Sequence, residues 1–314
     1  MAIILEKKTQ AFVDSLKGQK GPPLYKLSPE DARQLLENLQ KSNPVKGPKT
    51  TREDKVLETE KGKVPVRIVR PAGKTGALPG IVHLHGGGWI LGSKDTHAHM
   101  DDVIADGTGS VIVFVNYSLS PEAQYPTALE EGYAVLKYIA AQGQELGIDP
   151  KHLTLLGDSV GGNLAIVTTL LSLERKGPKV ESLLLYYPVI DGAMNTPSYT
   201  QFSGGPWLTK AAMEWFWNAY APDVSKRKDP HLSPINASKE LLQLFPRTLL
   251  ITDENDVLRD EGEIFARKLF EAGVDARGVR LLGSIHDFVM LNPLAESAPT
   301  QLALQLGINF ILKK

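Results

Sequence analysis

The stretch LTLLGDSVGGN, residues 153–163, places Ser159 between two glycines in the pattern G-x-S-x-G. An apolar run typical of a strand precedes the serine, and a pattern typical of a helix follows it. At such a corner the serine hydroxyl projects above the sheet edge, and Gly157 and Gly161 allow the sharp turn. The helix N-terminus favours negative charge beside the serine. The pattern predicts a nucleophile; a strand–helix turn without chemistry is the alternative.

A reactive serine needs backbone donors that stabilise the oxyanion of its tetrahedral intermediate. The stretch HLHGGGW, residues 83–89, ends a predicted strand with three glycines. Glycines let backbone N–H groups approach a substrate oxygen closely, because they carry no Cβ atom. We therefore expect the N–H groups of Gly86, Gly87 and Val160 to form an oxyanion hole. Glycine-rich turns also bind phosphates, but the chain contains no G-x-G-x-x-G or lysine-tipped phosphate loop.

The base should be a histidine late in the chain. Proteins that place their nucleophile at such a G-x-S-x-G corner order the triad as serine, acid, histidine along the sequence. Of the seven histidines, His286 in LLGSIHDF follows the last predicted strand, with a polar loop histidine as the alternative. The stretch TDENDVLRDEGE, residues 252–263, offers several acids. Asp253 lies close to the strand and Asp260 fits a helix N-cap. Asp256 lies in the loop between strand and helix, where its carboxylate can reach His286.

The stretch HAHMDD, residues 97–102, resembles a metal-binding H-x-H-x-D cluster. His97 and His99 are spaced for a strand or loop, whereas Met100 and Ile104 predict a helix that packs on the sheet. The chain has no cysteine, which excludes thiolate ligands and disulfides. We therefore expect no metal site.

The composition is that of an ordinary globular protein, with 42% apolar and 23% charged residues among 314. The formal net charge of −1 gives no reason to expect a nucleic acid or an anionic membrane as partner. No stretch is apolar enough for a signal peptide or a membrane span. We expect a cytoplasmic protein that binds a small molecule.

The elements that must position these residues follow a clear rhythm. Residues 1–48 are predicted to be helical, with Ser28 as the N-cap of one helix, and a hairpin follows that turns near Lys61 and Gly62. From residue 80 onwards apolar strands alternate with helices, which predicts an α/β fold with a mostly parallel sheet covered on both faces. Residues 191–226 break this rhythm. Their aromatic side chains fit either core packing or a lid over the strand ends.

The motifs HGGGW, GDSVGGN and DVLRDEGE, the late histidine and the stretch YSLSPEAQYP together resemble the hormone-sensitive-lipase-like, or acetyl-esterase, branch of the α/β-hydrolases. The resemblance covers about residue 50 to the end. It implies one domain with an eight-stranded-type α/β-hydrolase sheet. A helical cap from 1–48 and 191–226 would cover a catalytic core of 49–190 and 227–314. The resemblance implies no cofactor, and because dimers occur in this branch it leaves a homodimer open.

By this resemblance Ser159 is the nucleophile, Asp256 the acid and His286 the base of a serine carboxylesterase for short- to medium-chain acyl esters. One alternative is a hydrolase of the same fold that acts on amides, thioesters or long-chain lipids, because specificity depends on the cap and pocket. Another is a non-catalytic small-ligand receptor, which would have lost part of the triad. The sequence departs mildly from the branch: Val160 replaces the usual alanine, and Asp287 the common glycine.

Large rings near the acyl group would limit the size of the substrate pocket. We expect the pocket to be lined by Trp89, Tyr187, Trp207 and Trp215. Asp287 lies next to the expected base, and a carboxylate at that position raises the pKa of an imidazole.

Overall fold

Eight strands form one sheet in the order β1-β2-β4-β3-β5-β6-β7-β8, in a computed structural model that describes residues 3–18 and 21–314. The strands are β1 Thr50–Thr59, β2 Gly62–Pro71, β3 Leu78–Leu84, β4 Val111–Val115, β5 Ile148–Asp158, β6 Ser182–Tyr186, β7 Arg247–Asn255 and β8 Ala276–Ile285. The predicted hairpin is confirmed, because β1 and β2 are antiparallel and Thr59 pairs with Gly62. From β4 to β8 every neighbouring pair is parallel, as the strand–helix alternation predicts.

The helices cover both faces of the sheet. They are α1 Lys7–Leu16, α2 Pro29–Ser42, α3 Ala98–Thr108, α4 Thr127–Gln142, α5 Val160–Glu174, α6 Pro197–Gln201, α7 Lys210–Tyr220, α8 Lys239–Leu242, α9 Arg259–Glu271 and α10 Ala298–Ile311. No helix within the described ranges is long and apolar enough to cross a bilayer.

Two separate apolar clusters form the core, one on each face of the sheet. Alternate residues of a strand point to opposite faces, and in β3 Val82 belongs to the cluster with α4, α5 and α9. Its neighbour Ile81 belongs to the cluster with α3 and α10. The strands at the centre of the sheet contain continuous apolar runs, such as VIVFV in β4, because both of their faces are buried. The parallel strands thus bring their carboxyl ends to one edge, where an α/β sheet keeps its site.

The N-terminal helices attach to this edge through specific contacts. The Ser28 side chain accepts a hydrogen bond from the Asp31 N–H and caps α2, as the sequence predicts. From the same helix, the Arg33 guanidinium donates to the carbonyls of Ile90 and Ser120 and pairs with Glu122. Helix α2 is thereby fixed to the residue that follows the glycine-rich stretch and to the loop after β4.

Candidate active site

Ser159 lies on the sharp corner between β5 and α5. Its backbone has φ 53° and ψ −123°, an unfavourable conformation for a residue with a side chain. A Cβ atom on Gly157 would overlap the carbonyl of Gly161, and one on Gly161 would overlap the carbonyl of Leu84. The glycines on either side of the serine therefore allow α5 to start directly above β3 and β5.

The ends of three strands bring Ser159, His286 and Asp256 together. The Ser159 hydroxyl lies 2.9 Å from Nε2 of His286, which follows β8. Nδ1 of His286 lies 2.8 Å from Oδ2 of Asp256, which follows β7. All three side chains are buried. In this arrangement the His286 Nδ1–H donates to Asp256 and Nε2 accepts the serine proton, which is the geometry of a general base beside a nucleophile.

Two carboxylates favour the charged form of His286. Burial alone would favour the neutral imidazole, but Asp256 and Asp287 outweigh it and raise the pKa of His286 above its ordinary value. Asp287 Oδ1 lies 3.4 Å from His286 Nε2, and Asp287 Oδ2 accepts a hydrogen bond of 2.9 Å from the Trp207 indole N–H. The predicted influence of Asp287 on the base therefore has direct geometric support.

The glycine-rich stretch supplies donors, but not with all of the expected residues. The N–H of Gly86 donates to Oδ1 of Asp158 at 3.0 Å, so it is not free to bind an oxyanion, and this expectation is corrected. Within the described ranges, the N–H groups of Gly87, Gly88 and Val160 donate to no protein acceptor. Gly87 and Gly88 line the same cavity as Ser159. Gly88 therefore takes the place that the sequence analysis gave to Gly86.

A second cluster of acids and histidines, made of His83, His97, Asp101 and Asp158, lies beneath this stretch. His83 Nδ1 is 2.7 Å from Asp101 Oδ1, and its Nε2 is 3.2 Å from Asp158 Oδ1. His97 Nε2 is 3.3 Å from Asp158 Oδ2. All four side chains are fully or almost fully buried. We call these residues the support cluster, because Asp158 holds the Gly86 N–H.

Carboxylates favour the charged form of His83 within the support cluster. Both ring nitrogens of His83 face carboxylates, so both N–H groups donate and the ring is an imidazolium. Burial opposes this charge, but Asp101 and Asp158 raise the pKa of His83 to about 9. Against the same burial, His97 and His83 hold the pKa of Asp158 below its ordinary range. The sequence analysis missed this cluster, although His83, His97 and Asp158 all lie in stretches that it singled out.

The cavity beside Ser159 has a volume of about 300 Å³ and is mainly apolar. Its walls come from three distant stretches of the chain, 23–39, 207–216 and 286–290, together with Gly87, Gly88 and Leu91 beside Ser159. Helix α7 contributes Ala212 and Phe216, which are four residues apart and lie on one helical face.

Of the four aromatic residues expected in the pocket, only Trp207 lines the cavity. Trp89 is fully buried and stacks on Tyr220 with ring centroids 4.3 Å apart. Tyr187 is also buried and packs against His286, and it does not belong to the cavity lining. Trp215 packs on Phe216 and does not reach the cavity wall. The contacts of the other three rings in the structure are therefore packing contacts.

No metal-binding arrangement forms around HAHMDD in the part of the chain that the structure describes. His97 points to Asp158, whereas His99 and Asp102 both lie beside Gly47. Asp253, Asp256 and His286 do place one possible ligand atom each within 4.8 Å of one another. However, both His286 nitrogens already have partners in Asp256 and Ser159, which is the arrangement of a proton relay.

Comparisons with known proteins agree with this geometry. Residues 81–290 match a family described as alpha/beta hydrolase fold. A putative alpha/beta hydrolase of Acanthamoeba polyphaga mimivirus is 43% identical over 96% of this chain and 85% of its own length. An ethyl acetate hydrolase of Pseudomonas putida is 32% identical over 88% of each chain.

Solved structures show the same similarity. A thermostable esterase from Pseudomonas putida superposes with a TM-score of 0.97 at 40% identity, covering 99% of this chain and 98% of its own. The matched stretch contains the serine corner, the glycine-rich stretch and the late histidine, which are the motifs of the acetyl-esterase branch. The chain therefore belongs to the α/β-hydrolase family, in its hormone-sensitive-lipase-like branch.

Proposed function

We propose that the chain is a serine carboxylesterase that hydrolyses short- to medium-chain acyl esters. The observation that carries this proposal is the hydrogen-bonded series Ser159–His286–Asp256 at the wall of an apolar cavity. A ligand receptor of this fold would not need all three groups in hydrogen-bonding contact. Relatives described as an ethyl acetate hydrolase and a carboxylesterase of Mycobacterium tuberculosis support the same reaction class.

Each group has one role in the proposed mechanism. Ser159 Oγ attacks the acyl carbon while His286 Nε2 takes its proton, and Asp256 holds the imidazole tautomer and stabilises the imidazolium. The N–H groups of Gly87, Gly88 and Val160 bind the oxyanion of the tetrahedral intermediate. His286 then protonates the leaving alcohol, which leaves an acyl-serine. A water molecule, deprotonated by His286, repeats these steps on the acyl-serine and releases the acid.

A helical cap would set the acyl-chain limit. We propose that residues 1–48 and 191–226 form this cap over a core of 49–190 and 227–314. Two observations support it: cavity walls come from 23–39 and 207–216, and Arg33 ties α2 to the carbonyl beyond the glycine-rich stretch. A cavity of about 300 Å³ lies at the lower end of the range for small-molecule sites, which favours short acyl groups. The cytoplasmic location and the homodimer stay predictions from the sequence.

The decisive experiment is kcat/KM for p-nitrophenyl esters from acetyl to palmitoyl. We expect the rate to peak at short chains and to fall at long ones, and Ser159→Ala to lower kcat by several orders of magnitude, on the order of 10⁶ in the proteases where it was measured. The thermal transition of Ser159→Ala should stay normal, which separates lost chemistry from lost folding. A peak at palmitoyl would favour the lipid alternative, and a fully active Ser159→Ala variant would exclude the mechanism.

A further inference from the structure

Asp253 is a fully buried carboxyl group that the mechanism above does not use. It lies near the end of β7, where its backbone pairs with Leu281 of β8. Neither of its carboxylate oxygens receives a hydrogen bond from an N–H or O–H group in the described ranges. Burying a carboxylate without such partners is strongly unfavourable. The position of Asp253 therefore needs an explanation.

The triad acid, Asp256, also has a carboxylate oxygen without a hydrogen-bond donor. Oδ2 of Asp256 accepts the hydrogen bond from His286, but Oδ1 is buried and has no donor within the described part of the chain. The Asp253 and Asp256 carboxyls are close neighbours, because one oxygen of each lies within 4.8 Å of the other and of a His286 nitrogen. Two adjacent buried carboxylates repel each other strongly, so one of the pair should carry a proton.

One proton between the two carboxyls would supply a hydrogen bond that satisfies both Asp253 and Asp256. A protonated carboxyl has an O–H donor, which an ionised one lacks. Asp256 already accepts a hydrogen bond from the His286 N–H through Oδ2, so the proton belongs on Asp253. Burial and the neighbouring Asp256 also raise the pKa of Asp253 well above its ordinary value, in agreement with this assignment.

We propose that Asp253 is a positioning residue of the triad: its neutral carboxyl donates a hydrogen bond to Oδ1 of Asp256 and holds that carboxylate in line with His286. The proposal rests on the esterase function proposed above. Asp253 does not line the cavity, so it touches neither substrate nor reacting atoms. Its effect reaches the reaction only through the orientation and charge of Asp256.

No group within the described ranges competes with Asp256 as the partner of Asp253. Tyr187, the residue after β6, presents a buried phenol, but its oxygen takes part in no hydrogen bond within the described ranges. On the following residue, the Glu254 carboxylate turns away and accepts from the Gly283 N–H at 2.8 Å. His286 is committed to Asp256 and Ser159, and its charge, which favours an ionised Asp253, is outweighed by burial and by Asp256. Asp256 is thus the acceptor available to a protonated Asp253.

Two substitutions of similar size separate hydrogen bonding from packing. Asp253→Asn keeps an N–H donor for Oδ1 of Asp256, and we expect kcat within about twofold of the unmodified protein. Asp253→Leu fills the same space without a donor, and we expect kcat to fall about tenfold at unchanged KM, as for the loss of one hydrogen bond to a charged group. Without the donor Asp256 attracts the imidazolium more strongly, so the acidic limb of the rate profile should move to higher pH in Asp253→Leu alone.

A spectroscopic measurement tests the proton without any substrate. Infrared spectra of protein labelled with ¹³C-aspartate should show a buried carboxylic-acid C=O band at neutral pH that is absent in Asp253→Asn. This readout holds even if the esterase proposal fails, and it also decides the matter if Asp253→Leu does not fold. Absence of the band overturns the proposal. Equal loss of kcat in the Asn and Leu variants, or a Leu variant with unchanged kcat and pH profile, overturns it as well.

Discussion

Two buried groups of acids and histidines flank Ser159, and they do different things with the same side chains. In the triad, Nε2 of His286 faces the Ser159 hydroxyl at the cavity wall. In the support cluster, both nitrogens of His83 face carboxylates, and the ring has no exposed surface. An acid–histidine pair thus becomes a proton relay only where its free nitrogen meets a nucleophile. With a second carboxylate in that place, the pair fixes a loop instead.

The largest effect that distinguishes the two groups should come from Asp256→Asn. The amide can no longer hold the correct imidazole tautomer, so we expect kcat to fall by about 10⁴ while the fold is kept. Asp260→Asn is the matched control, because Asp260 accepts from the Ser198 N–H and is not bonded to His286. Kinetics and thermal unfolding of both variants would check this. If Asp253→Asn or Glu254→Gln abolishes activity while Asp256→Asn does not, the triad acid is misassigned.

Asp158→Asn should lower the stability of the protein strongly and its activity only modestly, the reverse of Asp256→Asn. Its carboxylate sits between His83 and His97, and removing one partner of a buried ion pair costs about 3 kcal/mol or more. The amide oxygen can still accept from the Gly86 N–H, so we expect kcat of the folded variant to fall only about tenfold, below the cost of a lost oxyanion donor. Denaturant unfolding and kcat at low temperature separate the two effects. A fall in kcat as large as that of Asp256→Asn would mean that the support cluster takes part in the reaction.

Alkaline pH should weaken the support cluster. The pKa of His83 is raised in the folded protein to about 9, above its ordinary value, so its stabilising contribution is complete below about pH 6.5 and is lost as pH rises through about 9. We expect the free energy of unfolding to decline across this interval, and less steeply in His83→Gln. Denaturant titrations of both proteins from pH 6 to pH 10 would measure the difference. Parallel curves would show that His83 does not carry the proton.

The smallest expected effect is a shift in the pH profile of Asp287→Asn. The Asp287 carboxylate favours the imidazolium of His286, and the base works only when neutral, so removing the charge should move the acidic limb of kcat/KM to lower pH. Asparagine suits this test because it tolerates the φ of 65° at this position, and its amide oxygen can still accept from Trp207. An unchanged limb would mean that Asp287 does not act on the base in solution.

The serine corner could be predicted from sequence because its causes are local. Gly157 and Gly161 lie within two residues of Ser159, and the strand and helix on either side have clear apolar patterns. The backbone donors of the oxyanion hole were predicted less accurately than the serine corner. Gly86 is occupied by a carboxylate 72 residues away, and no local pattern shows that contact. Parallel pairing of β3 with β5 brings the two together.

The pocket was harder to predict because aromatic residue type does not say which way a ring points. In α7 the cavity face holds Ala212 and Phe216, whereas the larger Trp215 and Trp217 lie on other faces. Helical periodicity could have separated them once the inward face was known. The predicted role of Asp260 as the N-cap of a helix is wrong. Helix α9 already begins at Arg259, and the Asp260 carboxylate accepts a hydrogen bond from the Ser198 N–H instead. Ser198 belongs to residues 191–226, and the sequence does not reveal where this segment lies relative to the sheet.

The distance along the chain between the parts of this site has a consequence during protein synthesis. His286 lies 127 residues after Ser159, and the cavity walls extend back to residue 23. A nascent chain that has been synthesised only as far as the turn at Ser159 therefore contains no functional nucleophile, because the base and the last strands are still missing. Domains generally complete their folding as units, and contacts between distant residues form slowly. The nascent chain should therefore stay unreactive towards cellular esters until its C-terminal third has emerged.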